Sequence, residues 1–294
     1  VSFQPSLFTK VLNDRPLDEA IEVTAQIGYD GIELMGREPH LSGDTSIERV
    51  EELAAKITDL GLDVPCLATY TGFYIGKTDE ECEAQLDELE RFCKFADVLG
   101  CDLVRHSPGG PPARDATKDD YAEAATWMRR AADLASDHDM RLGVEIHGHT
   151  ITETADTTLK LLEMVDRANV GAIHDAGNMY LVGADYGRQT VERLSDRLFH
   201  VHVKDERRVT DESMAGAFNF ETDRGVETFQ PTLLGDGDVT YRPLFEALAD
   251  TGYNGFVTDE CHVPSDAPDE NIAIARNELA ALRDYRPGRG VTGE

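Results

Sequence analysis

Residues 141–147 read Arg141-Leu142-Gly143-Val144-Glu145-Ile146-His147, and residues 170–177 read Val170-Gly171-Ala172-Ile173-His174-Asp175-Ala176-Gly177. Each is a short apolar run carrying an acid or a histidine near its C-terminal end. Between them, residues 154–167 read as a helix. Strand, helix and strand in succession make a βα repeat, and such repeats build parallel sheets. Two later segments repeat the pattern, Phe199-His200-Val201-His202-Val203-Lys204 and Phe256-Val257-Thr258-Asp259-Glu260. An acid inside a buried strand costs on the order of several kcal/mol unless it is paired or bound to a metal. Four such strands predict a ring of metal ligands at one end of a barrel.

Working outward, the same alternation covers the chain. Strands are expected at 2–8, 31–36, 63–71, 101–108, 141–147, 170–177, 198–205 and 255–261. Helices are expected at 17–27, 46–60, 78–99, 118–138, 154–167, 186–195, 241–251 and 269–285. Gly28, Gly61, Gly100 and Gly252 each end a helix shortly before the next strand, as C′ glycines do. Eight βα units in 294 residues predict an α/β fold, a single-domain (β/α)8 TIM barrel over 1–285. A doubly wound open sheet would carry a Gly-rich phosphate loop after its first strand, and Phe8-Thr9-Lys10 is not one. Residues 286–294 read as a flexible tail. Residues 206–237, after the seventh strand, are too long for an ordinary βα loop. They read either as a lid, with Phe218 and Phe220 as its apolar contacts, or as a surface insertion.

The chain carries 57 acids against 28 bases, a net charge of −29. Such a shell suits a halophilic protein in a cell with high internal salt, where screening shortens the reach of self-repulsion. It argues against nucleic acid as a partner. No apolar stretch approaches a membrane span. The start, Val1-Ser2-Phe3-Gln4-Pro5, lacks the basic region and apolar core of a signal peptide, so a cytoplasmic location is expected. Five cysteines without a CxxC pair predict free thiols. Trp127 reads as a core or interface residue.

Strand residues two apart face the same side. Glu145 and His147 therefore go together, as do His200, His202 and Lys204, and Glu260 and His262. Glu145, Asp175, His202 and Glu260 would supply three carboxylates and one imidazole to a metal. That set suits Mn2+, Mg2+ or Co2+ better than a structural Zn2+, although Zn2+ remains an option. The alternative is a buried ion-pair network involving Lys204 or Arg105.

Several of these segments resemble the xylose isomerase-like TIM barrels, in their sugar-phosphate and ketose isomerase/epimerase branch. The resemblance is carried by Tyr29-Asp30-Gly31-Ile32-Glu33, Val144-Glu145-Ile146-His147, His174-Asp175-Ala176-Gly177-Asn178, His200-Val201-His202-Val203-Lys204-Asp205, Leu234-Gly235-Asp236-Gly237-Asp238-Val239 and Asp259-Glu260. It implies that Glu145 and Glu260 bind the metal and act as acid and base, while Asp175 and His202 complete the coordination. The expected enzyme is an isomerase or epimerase of a sugar or sugar phosphate. It would move a proton next to a metal-bound carbonyl, the ion holding the enediolate charge.

Glu33 is expected either to bind a sugar hydroxyl or to form a structural pair. His106, His147 and Asn178 are candidate substrate contacts. Lys204 would hold a hydroxyl or phosphate, or pair with a ligand acid. Arg207 and Arg208 would meet substrate from the lid base or tie the loop down. Asp236-Gly237-Asp238 reads as a turn. A metal-dependent dehydratase of a keto-polyol is the nearest rival, since it starts with the same proton abstraction. A silent sugar-binding barrel and an apurinic endonuclease-like nuclease are remoter. The nuclease branch needs more histidines, and Asn178 stands where it places one. Pairing of copies through outer helices such as 78–99 is expected by analogy alone.

Overall fold

The computed structural model describes residues 3–265 and 267–286. Seven strands, each followed by helical structure or a loop, begin the chain: β1 (Gln4–Phe8), β2 (Gly31–Gly36), β3 (Leu67–Gly72), β4 (Leu103–Ser107), β5 (Arg141–Glu145), β6 (Val170–Asp175) and β7 (Leu198–Val203). The chain then leaves the ring through β8 (Asp205–Val209), β9 (Phe218–Thr222) and β10 (Gly225–Thr232), and returns as β11 (Phe256–Asp259). Strands β1 to β7 and β11 are all parallel and close a barrel, in which β11 joins β7 to β1. The predicted (β/α)8 barrel is the fold observed.

The outer helices are α1 (Leu17–Ile27), α2 (Ile47–Asp59), α3 (Asp79–Val98), α4 (Lys118–Ser136), α5 (Ala155–Val165), α6 (Ala176–Leu181), α7 (Arg188–Leu194), α8 (Arg242–Asp250) and α9 (Pro268–Asp284). Their starts are written in the sequence. Thr78 with Glu81 and Thr117 with Asp120 form reciprocal caps at α3 and α4, satisfying amide donors that the helix itself leaves free. Gly28 ends α1 at φ +99°. Buried Leu, Val and Ile side chains between helices and strands form the main core. Inside the barrel, Cys66, Leu103 and Ile173 fill the lower end, and polar residues occupy the upper end.

Strands β5, β7 and β11 each end two residues before the sequence expectation, at Glu145, Val203 and Asp259, and three further features differ from it. Residues 63–66 contribute only an isolated bridge from Asp63 to Gly31, and β3 begins after Pro65; proline interrupts a ladder. Strand β6 stops at Asp175, whose side chain accepts the backbone N–H of Asn178 and starts α6, a short helix not foreseen. The segment expected as a lid is an antiparallel sheet in the order β8-β10-β9. All five cysteines are free and buried. Trp127 is buried and stacks on Tyr74. Arg286 pairs with Asp30 at 2.9 Å, and residues 287–294 of the expected tail lie outside the described residues.

Candidate metal centre

Glu145 ends β5, Asp175 ends β6, His202 lies near the end of β7, and Glu260 directly follows β11. The register sets Asp175 beside His202, and His202 beside Thr258. The twist of the closed barrel then brings ligand atoms of all four residues within 4.8 Å of one another. All four are buried. His202 Nδ1 lies 3.6 Å from Glu145 Oε1 and 3.7 Å from Glu260 Oε2. These separations are too long for hydrogen bonds, and this buried nitrogen has no partner. An orphaned imidazole nitrogen among three carboxylates fits a divalent cation, which would satisfy all four groups at once.

Each carboxylate also has a protein partner. Arg105 Nη1 donates to Glu145 Oε2 at 2.8 Å. Lys204 Nζ lies 2.8 Å from Asp175 Oδ2 and 3.0 Å from Glu260 Oε2. Lys10 Nζ reaches Glu260 Oε1 at 3.2 Å and His262 Nε2 at 2.8 Å. Asn178 Nδ2 donates to Glu145 Oε1 at 3.0 Å and Asp175 Oδ2 at 2.9 Å.

These partners set the charge states. Burial alone would raise both glutamates, but Arg105 holds Glu145 well below the usual carboxylate range, and Lys204 with Lys10 does the same for Glu260. Burial wins at Asp175, which is raised even though Lys204 opposes it. Burial would lower His202, yet Glu33 drives it well above its ordinary value. Glu206, on β8, is pushed up to about 8, chiefly by burial.

A cleft of about 300 Å³ opens above the cluster, and both Glu145 and Glu260 line it. His106 also lines it, though its ring nitrogens meet Thr71 at 2.8 Å and Tyr74 at 2.7 Å; burial lowers it to about 3, so it is neutral. His147 lines the exposed mouth, with Nδ1 2.7 Å from the carbonyl of Gly148. Glu33 lies beneath the cluster, fully buried, with its carboxylate taken by His200 and His202. That is the structural pair rather than a contact with the cleft. Arg207 donates to the carbonyl of Asp236, and Arg208 pairs with Glu227. These are ties within residues 206–237, and neither arginine lines the cleft.

Sequence reading named Arg105 only as a partner in an ion-pair network and did not single out Lys10. Parity carries a signal for Arg105, which alternates inward with Leu103 on β4. Lys10 sits in the short 3₁₀ turn Thr9–Leu12 after β1, where no periodicity points inward. His149, Phe73 and Tyr70 also line the cleft and were not foreseen. The glycine-rich stretch at 234–239 proved to wrap Asp205. Gly235 and Gly237 donate to Oδ2, and Val239 donates to Oδ1. A Cβ at Gly237 would sit 2.1 Å from Asp205 Oδ1, so glycine is required there.

Residues 21–285 match the family described as the xylose isomerase-like TIM barrel. The chain belongs to that family. Among sequence relatives, an inosose dehydratase of Mesomycoplasma hyopneumoniae (strain 7448) is 27% identical over 259 residues, spanning 84% of this chain and 81% of the relative. Among solved structures, the IOLI protein with a binding zinc atom matches at a TM-score of 0.77 and 16% identity, over 96% of this chain and 99% of that one. A D-allulose 3-epimerase from Methylomonas sp. matches at 0.73 and 19%, over 97% and 98%. These two share the fold. Among the described residues, no helix is long and apolar enough to cross a membrane.

Proposed function

We propose that the protein is a divalent-metal-dependent dehydratase of a hydroxylated ketone, removing a proton next to the carbonyl and expelling a neighbouring hydroxyl as water. The observation that carries this reading is the division of labour within each glutamate. Glu145 Oε1 and Glu260 Oε2 face His202 Nδ1, while Glu145 Oε2 and Glu260 Oε1 face Arg105 and Lys10, two residues that line the cleft. One oxygen of each can hold an ion and the other can face substrate. Mn2+, Mg2+, Co2+ or Zn2+ would be held by Glu145, Asp175, His202 and Glu260, and would stabilise negative charge on the substrate oxygen.

Elimination is favoured over epimerisation by Arg105. Epimerisation needs both glutamates to give and take protons. A guanidinium does not titrate, and its bond keeps Glu145 ionised and a poor acid. Glu260 instead adjoins Lys10 and Lys204, whose ammonium groups carry exchangeable protons. Glu260 is therefore assigned as the base, which passes the proton it takes to the departing hydroxyl so that it leaves as water, and Glu145 as ligand and electrostatic support. The sequence relatives named inosose dehydratase make an inosose or a related keto-polyol the first substrate to try. The second reading, the ketose or sugar-phosphate epimerase or isomerase, is supported by two carboxylates lining one cleft at the ends of different strands, β5 and β11. A high-salt cytoplasm is proposed as the setting that suits the net charge of −29.

The test uses purified protein with each metal in turn and inosose or other ketoses in deuterated water. A conjugated product absorbing in the ultraviolet is expected, with Glu260→Gln slower by about 10²–10⁴-fold. Deuterated epimer without loss of water would replace the dehydratase reading with the epimerase one.

A further inference from the structure

We infer that Glu33 is a positioning residue that fixes the ring of His202 so that Nδ1, rather than Nε2, is offered to the divalent ion. The inference rests on the metal reading given above. Glu33 lies on β2, across the barrel from β7, and is 0% exposed, as is His202. His202 Nε2 lies 3.0 Å from Glu33 Oε1 and 3.1 Å from Oε2. His200 Nε2 reaches the same carboxylate at 2.9 Å, and Thr258 at 2.8 Å. An ionised carboxylate only accepts hydrogen bonds, so both Nε2 atoms must carry the hydrogen. A ring that binds an ion must be neutral, and with the hydrogen held on Nε2 its lone pair is on Nδ1. Nδ1 of His202 is the atom without a partner, and it faces Glu145 and Glu260.

The ring has little freedom to turn over. Phe8 stacks on one face, with centroids 6.2 Å apart, and the ring of His200 meets it at 88°. Glu33, His200 and His202 are themselves close enough to surround an ion. None of the three lines the cleft, and two N–H donors already satisfy the carboxylate. The set therefore acts as a clamp beneath the ion rather than as a second ion site. Its effect is to preorganise the ligand, as outer partners of metal-bound histidines do.

The test begins with 15N-labelled wild-type protein loaded with zinc. The nitrogen resonances of His202 should show a protonated Nε2 and a zinc-bound Nδ1. Zinc on Nε2, or zinc held between Glu33 and His200, overturns the inference. The second arm measures zinc affinity by chelator competition. Glu33→Gln removes the negative charge and puts an NH2 donor at one of the two oxygen positions that face His202 Nε2, and its affinity should fall about 10–100-fold. Affinity within twofold of wild type overturns the inference. If that variant does not fold, the wild-type spectrum decides alone. Wild-type protein that binds no divalent ion would sink both the metal reading and the clamp. Failure in the Glu33 arm alone would leave the metal reading standing.

Discussion

Arg105 and Glu145 form a buried pair at 2.8 Å, with side-chain exposures of 10% and 8%. Arg105 also donates from Nε to the carbonyl of Thr69 and lies over the rings of Phe8 and Tyr70. Removing one member of such a pair strands the other charge. Arg105→Leu is expected to destabilise the metal-free protein by about 3–5 kcal/mol, read by urea denaturation. A variant within 0.5 kcal/mol of wild type, roughly the range of a neutral surface change, would show that the pair is not needed. Asp175 has two roles, since it caps α6 and faces the cluster. Asparagine also caps helices well, so Asp175→Asn separates the roles. Metal affinity should fall on the order of 10²-fold while the helical circular dichroism stays unchanged. Loss of helix signal with intact affinity would reverse that assignment. The ligand acids were legible in sequence because polar residues inside apolar strands stand out. Arg105 was legible only through its parity with Leu103, and Lys10 not at all.

At the scale of elements, two of the ties between the sheet β8-β10-β9 and the barrel can be tested separately. One is its root, where Asp205 is wrapped by residues 235–239 and Leu234 donates to Glu278 Oε1 on α9. The other is Phe220, which stands 4.4 Å from the ring of His149, a residue of the cleft, and packs with Leu181 and Phe229. Phe220→Ala is expected to raise KM several-fold and to speed proteolysis within 206–237, while the barrel's own unfolding midpoint changes little. Unchanged KM would make the sheet a surface insertion. Glu278 gives a pH test. Burial first, and Asp259 next, push it from 4.5 up to about 9. A raised acid binds more protons folded than unfolded across that window, so its contribution to stability is present below 4.5 and is lost as pH rises toward about 9. Glu278→Gln keeps an oxygen for Leu234 and should be more stable than wild type at pH 8 by about 1–2 kcal/mol, with a flatter profile. A variant less stable at pH 8 would contradict this. Phe218 and Phe220 stood out in the sequence as the apolar contacts that a lid would use. The strand pairing was not, because the partner of Phe220 across the ladder, Glu227, lies beyond a turn that no strong hydrophobic alternation flanks.

For the whole molecule, the net charge of −29 predicts salt dependence. Exposed acids repel over about 10 Å at 0.1 M salt but only about 3 Å at 1 M. The melting temperature should therefore rise as KCl goes from low to molar concentration, and a flat response would remove the salt-adaptation reading. Many surface arginines are already matched locally, Arg130 to Glu83 and Arg167 to Asp133 among them, so the unmatched acids carry the effect. The sequence alone determined the closed ring of βα units, because side-chain periodicity and helix caps are local properties of the chain. It also determined which four strands bear the acids and the histidine. The tertiary structure decided the rest. Register and barrel twist chose which oxygen of each glutamate faces His202. They also seated Arg105, Lys10 and Lys204 against those carboxylates, and put Glu33 beneath the imidazole instead of in the cleft. Those are relations between residues up to about 250 positions apart, such as Lys10 and Glu260, and pattern along the chain carries no information about distance across a barrel.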